Sequence, residues 1–155
     1  MYYSELVKKA SNIMYEAHKD DKDAGGYPYV FHPFFIATQM DDENSTCVAL
    51  LHDVLERHSD KYSLESLKKD GFPDEVLEAL NVLKHEEGIS YIDYIVDVCS
   101  NPIAKKVKKA DLMHNLDTRR SNGEKFPKNE EYIEALKYLN GIYDINLLLR
   151  IHKSK

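Results

Sequence analysis

Apolar residues recur every three to four positions along most of this chain, in runs separated by short polar or glycine-bearing segments. This spacing is typical of amphipathic α-helices that bury one face in a shared core. Leu6, Ala10, Ile13 and Ala17 show it in the first run. No segment indicates a β-strand convincingly. The pattern predicts about eight helices, over residues 3–19, 34–40, 44–55, 63–70, 73–84, 91–99, 101–116 and 129–151.

The segments between these runs carry residues that begin or end helices. Asn44 and Ser45 are suited to cap the N-terminus of the third helix, and Ser63 and Asn101 begin two later ones. Gly88 interrupts the apolar periodicity. Residues 20–29 form a polar loop with two glycines. With no linker and no internal repeat, the sequence predicts an all-α fold, a single compact helical bundle over residues 1–155.

Composition narrows the classes of function. The chain is 43% hydrophobic and 31% charged, which is ordinary for a soluble globular protein. No apolar run approaches the roughly 20 residues needed to span a bilayer, and the N-terminus lacks a secretory pattern, so we expect a cytoplasmic protein without a membrane partner. A net charge of −6 argues against binding to nucleic-acid polymers. A phosphorylated small molecule stays possible, because a metal and a few lysines can create a local positive site.

The pair His52-Asp53 is the strongest local signal for chemistry. Its apolar flanks predict a largely buried helix, and burying an imidazole beside a carboxylate is costly unless a partner satisfies both. A divalent cation would do so, and a hydrogen-bonded core pair would do so equally well. Glu56 lies one turn along, where its carboxylate can act as a general base or stay in solvent.

Two distant segments offer further ligands. His32 precedes Pro33 at a junction between loop and helix, and Asp111 lies in an otherwise apolar helical face. Such an aspartate needs a partner, either a metal or a lysine or cap. Asn115 is predicted to face the same side as Asp111, whereas His114 is interpreted as structural.

Four segments, in this order and spacing, carry a resemblance to a known family. They are residues 17–18 (Ala-His), 26–33 (Gly-Tyr-Pro-Tyr-Val-Phe-His-Pro), 49–56 (Ala-Leu-Leu-His-Asp-Val-Leu-Glu) and 107–116 (Val-Lys-Lys-Ala-Asp-Leu-Met-His-Asn-Leu). The chain resembles the HD superfamily of metal-dependent phosphohydrolases. It is most similar to the hydrolase domain of the RelA/SpoT group, which removes the 3′-pyrophosphate of guanosine tetraphosphate. The likeness covers nearly the whole chain.

The resemblance implies an enzyme with a single divalent metal ion, usually manganese, although the donor set also suits iron, cobalt or zinc. The implied ligands are His32, His52, Asp53 and Asp111. The ion would lower the pKa of water and polarise a phosphoryl oxygen.

Further residues match positions that the family uses around the metal. Glu56 matches the first member of an acidic pair that positions or activates water, and Asn115 and Thr118 match positions that line the nucleotide pocket. Lys108 matches a lysine common in the family. The implied partner is a small nucleotide, and nothing in the sequence selects an oligomeric state.

The chain departs from the family at two places. Arg57 replaces the second acidic residue and cannot serve as a base, although it can contact a substrate phosphate or simply face solvent. Asp23-Ala24 stands where the family has a basic pair that binds the guanine nucleotide. The alternatives are therefore a phosphohydrolase for another nucleotide or phosphoester, and a non-catalytic module that binds metal and nucleotide. A stand-alone hydrolase without a synthetase domain is expected.

Overall fold

The computed structural model describes residues 1–121, 123 and 128–141, and every regular element in this part of the chain is helical. The elements are α1 (Glu5–His18), α2 (Phe31–Thr38), α3 (Glu43–Leu51), α4 (Val54–Arg57), α5 (Leu64–Lys69), α6 (Asp74–Leu83), α7 (Tyr91–Ser100), α8 (Pro102–Asn115), a 3₁₀ turn (Thr118–Ser121) and α9 (Asn129–Leu139). The all-α prediction is confirmed.

Polar caps fix where several helices begin. The Ser63 side chain accepts a hydrogen bond from the Ser66 amide, and Asn101 accepts from the first residues of α8. Both helices therefore begin where the sequence predicted. The third helix was expected to start at Asn44 or Ser45, and it starts earlier. Asp42 is its cap and accepts from the Ser45 amide at 2.8 Å. An aspartate upstream therefore satisfies the free amides that the later residues were expected to cap.

The predicted helix over residues 44–55 is wrong in one respect, because it is broken at His52-Asp53. α3 ends at Leu51 and α4 begins at Val54. The backbone of Asp53 (φ −100°, ψ −6°) departs from α-helical values and interrupts the hydrogen-bond ladder. The break explains the additional helix and places His52 and Asp53 at a corner instead of on one continuous helix.

Two other boundaries also differ from the prediction. α2 begins at Phe31, three residues early, because the Phe31 and His32 amides donate to carbonyls in the preceding loop. α9 ends at Leu139, and Gly141 follows with φ +71°, the left-handed conformation common after a helix end. Residues 142–151, which were predicted to continue this helix, lie outside the described residues.

The core is organised around α3. Its residues from Cys47 to Leu51 are all fully buried, since α1, α2, α6 and α8 pack around it. A helix that is apolar on every side is stable only in the middle of a bundle. α2, α8 and the corner at the end of α3 consequently meet, and they bring the candidate site residues together.

Among the described helices, none combines the length and the hydrophobicity required to cross a membrane.

Candidate metal centre

The four predicted metal ligands converge from three parts of the bundle. His32 lies in the first turn of α2, His52 and Asp53 form the corner between α3 and α4, and Asp111 lies in α8. His32 Nε2 is 3.2 Å from Asp111 Oδ1 and 3.9 Å from Asp53 Oδ2. His52 Nε2 is 3.4 Å from Asp53 Oδ2 and 4.0 Å from Asp111 Oδ1. Two imidazoles and two carboxylates thus surround one point.

The His52 ring is held with one nitrogen directed at this point. Its Nδ1 lies 2.8 Å from the Ala49 carbonyl oxygen and donates to it, which leaves Nε2 as the nitrogen with a free lone pair. That Nε2 is buried and has no hydrogen-bond partner in the described part of the chain. One donor atom each from His32, His52 and Asp53 lies within 4.8 Å of the others. An orphaned imidazole nitrogen among carboxylates fits a divalent cation.

His114 orients His32. The two Nδ1 atoms are 2.8 Å apart, so one ring donates to the other, and the rings are nearly parallel (12°) with centroids 5.0 Å apart. Phe35 stacks on the His114 ring with centroids 4.2 Å apart. Burial, the Arg120 charge and His32 lower the pKa of His114 to about 4. The neutral His114 ring therefore fixes which nitrogen of His32 faces the carboxylates, which agrees with the structural role expected from the sequence.

Asp111 has two different partners on its two oxygens. Lys108 Nζ lies 2.8 Å from Oδ2, and the Asn115 amide donates to Oδ1 at 2.6 Å. Burial opposes ionisation of this carboxyl, but Lys108 and His32 hold its pKa well below the usual range. Asp111 therefore has the lysine partner considered from the sequence and also faces the two histidines.

Tyr29 is a site residue that the sequence analysis did not single out. Its hydroxyl donates a short hydrogen bond to Asp53 Oδ2, and the Arg57 guanidinium lies 4.0 Å above its ring. Arg57 Nε is also 3.9 Å from Asp53 Oδ2. Burial and the Asp53 charge raise the pKa of Tyr29, so it stays a donor at neutral pH. The only sequence signal was its position in the segment that precedes His32.

A cavity of about 500 Å³ opens above these ligands, a volume suited to a small molecule. Glu56 and Asn115 line it together with His32, His52, Asp53 and Asp111, the four predicted ligands. Its wall also contains several aromatic and several cationic side chains. The aromatic residues are His85, Tyr91, Tyr94 and Tyr132, and the cations are Lys22, Arg57, Lys108, Arg120 and Lys128.

Of the residues predicted to act in catalysis or to bind substrate, all but Thr118 line this cavity. Glu56 is exposed to the cavity and makes no hydrogen bond or ion pair with another described residue. Lys108, Asn115 and Arg57 line the cavity. Thr118 is exposed at the start of the 3₁₀ turn and is not among the described residues of the cavity wall, so its role as a substrate contact stays a prediction.

The loop before α2 contains an ion pair that the sequence did not indicate. Arg120 Nη2 lies 3.4 Å from Asp23 Oδ2, and Arg120 Nη1 donates to Asn115 Oδ1 at 3.0 Å. A Cβ at Gly25 would lie 1.9 Å from the Arg120 carbonyl oxygen, so the loop packs directly on the 3₁₀ turn. Arg120 therefore places a cation at the cavity, beside Asp23 and Ala24, positions at which the loop itself carries no basic residue.

Comparisons with known proteins agree with this architecture. The chain shares its fold with a solved structure of a metazoan ortholog of SpoT that hydrolyzes ppGpp and plays a role in starvation responses, with a TM-score of 0.69. The sequences are 23% identical, and the match covers 90% of this chain and 85% of that one. At the level of the fold, the expected resemblance to RelA/SpoT-type hydrolase domains is confirmed.

A sequence relative points to the same group. The chain is 28% identical over 128 residues to a probable GTP pyrophosphokinase of Mycobacterium leprae. The match covers 74% of this chain but only 16% of that protein. No family model matches the chain.

Proposed function

We propose that this protein is a metal-dependent phosphohydrolase that removes pyrophosphate from a nucleotide of the guanosine 3′,5′-bis(diphosphate) type. The observation that carries the proposal is the convergence of His32, His52, Asp53 and Asp111 at the floor of a cavity with five cations in its wall. The fold shared with a ppGpp-hydrolysing protein supports the same reaction class.

His32, His52, Asp53 and Asp111 would hold one divalent ion, with manganese as the proposed metal. Such an ion supplies Lewis acidity to a phosphoryl oxygen and makes water more acidic at neutral pH. Tyr29 and His114 contribute by orientation, because each holds one ligand through a hydrogen bond. Outer partners of this kind typically change metal affinity by about 10–100-fold.

Glu56 is proposed as the general base. It lies three residues beyond Asp53, one helical turn along, with its carboxylate at the cavity and not engaged by a described cation. A carboxylate in this position can accept the proton of the attacking water while a positively charged wall stabilises the phosphate. Arg57 occupies the next position and adds positive charge, so Glu56 works without a second acidic residue.

Lys108, Arg57 and Arg120 are proposed to neutralise the substrate phosphates. All three reach the cavity from different elements, α8, α4 and the 3₁₀ turn. Charge that develops on the phosphoryl oxygens is stabilised most effectively by donors that are already in place. Tyr91 and Tyr132 line the cavity with their rings tilted by 47°, so either ring is available to contact a nucleobase.

Hydrolysis of a related nucleotide is the second candidate. The observation that favours it is the Asp23–Arg120 ion pair, because it places a carboxylate in the loop where the family has a basic pair. Part of the Arg120 charge is thereby neutralised before substrate binds. A substrate with fewer phosphates than guanosine tetraphosphate would match this wall better.

A nucleotide panel tests the proposal. The purified protein, supplied with manganese, is incubated with guanosine 3′,5′-bis(diphosphate), GTP, GDP, ATP and a 3′-phosphorylated nucleotide, and released pyrophosphate and phosphate are measured. We expect turnover of at least one 3′-substituted nucleotide. Asp53→Asn should abolish turnover. Asp97 is exposed on α7, so Asp97→Asn should leave turnover unchanged. A wild-type protein that binds manganese but hydrolyses none of the panel would contradict the proposal.

A further inference from the structure

A second group of side chains that could hold a metal ion packs against Tyr29. His18 is the last residue of α1, Asp21 follows in the loop, and His58 comes directly after α4. His18 Nδ1 and His58 Nε2 each lie 2.8 Å from the same oxygen, Asp21 Oδ2. One donor atom from each of the three residues lies within 4.8 Å of the other two.

We propose that His18, Asp21 and His58 bind a second divalent transition-metal ion, which clamps the loop of residues 20–29 to the end of α4. Two imidazoles and one carboxylate form a donor set that zinc, iron and nickel accept, with water completing the coordination. Metal–ligand bonds of about 2.0–2.1 Å hold neighbouring ligand atoms about 3.0–3.4 Å apart. The two distances from the histidine nitrogens to Asp21 Oδ2 need to open by only a few tenths of an ångström to meet that geometry, and the two nitrogens lie within 4.8 Å of each other.

The burial of the three side chains suits an ion that enters from solvent. His18 is fully buried, whereas 28% of the Asp21 side chain and 17% of the His58 side chain are exposed. The ion would therefore be fixed from the protein side by His18 and would keep an open side toward Asp21. That open side is where water would complete the coordination.

The convergence on one oxygen favours an ion over a purely hydrogen-bonded group. A carboxylate has two oxygens and about four lone-pair directions, so two imidazole donors can be accommodated without sharing an atom. Here both rings are directed at Asp21 Oδ2, and three donor atoms surround one small volume. In the metal-free alternative, both rings donate to that oxygen, and the chain binds no ion there.

The proposed site shares no ligand with the first metal centre but is mechanically connected to it. The Tyr29 ring lies between the two, with its centroid 5.0 Å from that of His18 and 5.4 Å from that of His32. Lys22 and Asp23 of the clamped loop line the cavity. If the proposed function holds, losing the second ion should raise KM for the nucleotide more than it lowers kcat, since the catalytic ligands stay in place.

Metal stoichiometry tests the site independently of activity. The protein is stripped with a chelator and titrated with Zn²⁺ by calorimetry, and bound zinc is counted by elemental analysis after dialysis. We expect two ions per chain for the wild type and one for His58→Ala, with affinity for the lost ion weakened more than about 100-fold, beyond the effect of an outer-shell change. His52→Ala should also retain one ion, and the double variant should retain none.

Matched variants keep the test decisive if His58→Ala folds poorly. Asp21→Asn preserves size and hydrogen bonding while removing the anionic ligand, and Asp97→Asn on the surface of α7 is its control. Folding is checked by circular dichroism. Wild-type protein that binds one ion, with Asp21→Asn and His58→Ala binding it equally well, would overturn the second site. One ion that is lost in His58→Ala but kept in His52→Ala would instead uphold the second site and contradict the first.

Discussion

Around Asp53, two sequence neighbours and one residue from the preceding loop act on a single carboxylate. His52 precedes it, Tyr29 donates to it from the loop before α2, and Arg57 approaches it from the next turn. Burial opposes the ionised form, but His52 and the Tyr29 hydrogen bond help to lower the pKa of Asp53. The carboxylate is thereby kept ionised, which is the state that binds a cation.

Tyr29→Phe tests this arrangement. The change removes the hydroxyl donor but preserves the ring that packs against His18 and Arg57. We expect manganese affinity to fall by about 10–100-fold, as for other outer-shell partners of metal ligands, with little change in melting temperature. Calorimetric titration with manganese measures the effect, and an unchanged affinity would show that Tyr29 does not orient Asp53.

His114 predicts how stability depends on pH. Its pKa is about 4 in the folded protein against 6.5 for the free side chain, so between these values the unfolded chain binds more protons. The free energy of unfolding of the metal-free protein should therefore fall as pH is lowered from about 6.5 to about 4, by on the order of 3 kcal/mol from His114. Burial also lowers the pKa of His18 and His32, which adds in the same direction.

Urea unfolding at a series of pH values measures this slope. His114→Gln removes the titrating ring, so the loss of stability between pH 6.5 and 4 should become smaller than in the wild type. A variant with the same pH dependence as the wild type would exclude His114 as a contributor. The wild type should be compared without metal, because ion binding has its own pH dependence.

At the scale of the helices, periodicity and capping located most elements but missed the corner that forms the site. The starts of α5 and α8 followed from Ser63 and Asn101, since a cap acts through neighbours in the sequence. The break at His52-Asp53 could not be predicted, because the apolar spacing continues through it. Only the backbone angles show that the helix ends there. The docking of the loop of residues 20–29 on the 3₁₀ turn could not be predicted either, because it joins residues almost 100 positions apart.

Gly25→Ala tests the docking of that loop. A Cβ would lie 1.9 Å from the Arg120 carbonyl oxygen, and backbone cannot move aside as a flexible side chain can. We expect the loop of residues 20–29 to detach, with faster proteolysis within it and a several-fold higher KM for the nucleotide. Gly26→Ala is the control, because it introduces backbone strain at φ +83° without meeting any atom within 4 Å. Equal proteolysis of the two variants would argue against the docked loop.

At the scale of the whole molecule, an acidic protein concentrates positive charge in one cavity. The net charge is −6, yet Arg57, Lys108 and Arg120 approach the same space from three elements. The sequence predicted that His32, His52, Asp53 and Asp111 form one site, because their order and spacing resemble a known family, and the structure brings these four side chains together. Their role as metal ligands stays a prediction. The sequence could not predict Tyr29, His114 or Arg120 as site residues, because their roles depend on which helices pack together.

The charge of the cavity predicts a dependence on salt. Binding of a polyphosphorylated nucleotide should weaken as ionic strength rises, because salt screens the attraction between phosphates and exposed cations. Arg57→Gln should raise KM and reduce this salt dependence, since it removes one cation from the wall. Steady-state kinetics at 50 mM to 500 mM salt measure both effects. An Arg57→Gln variant with the same KM at every salt concentration would show that Arg57 does not contact the phosphates.

Identification of the reaction products tests whether the protein is a nucleotide pyrophosphohydrolase. Guanosine 3′,5′-bis(diphosphate) is incubated with the manganese-loaded protein, and phosphorus NMR identifies what is released. We expect GDP and pyrophosphate as products, with turnover lost in Asp111→Asn and reduced by more than about 100-fold in Glu56→Gln, as expected for loss of a general base. Turnover that persists in Asp111→Asn, or a manganese-bound wild type that leaves every phosphorylated nucleotide intact, would contradict it.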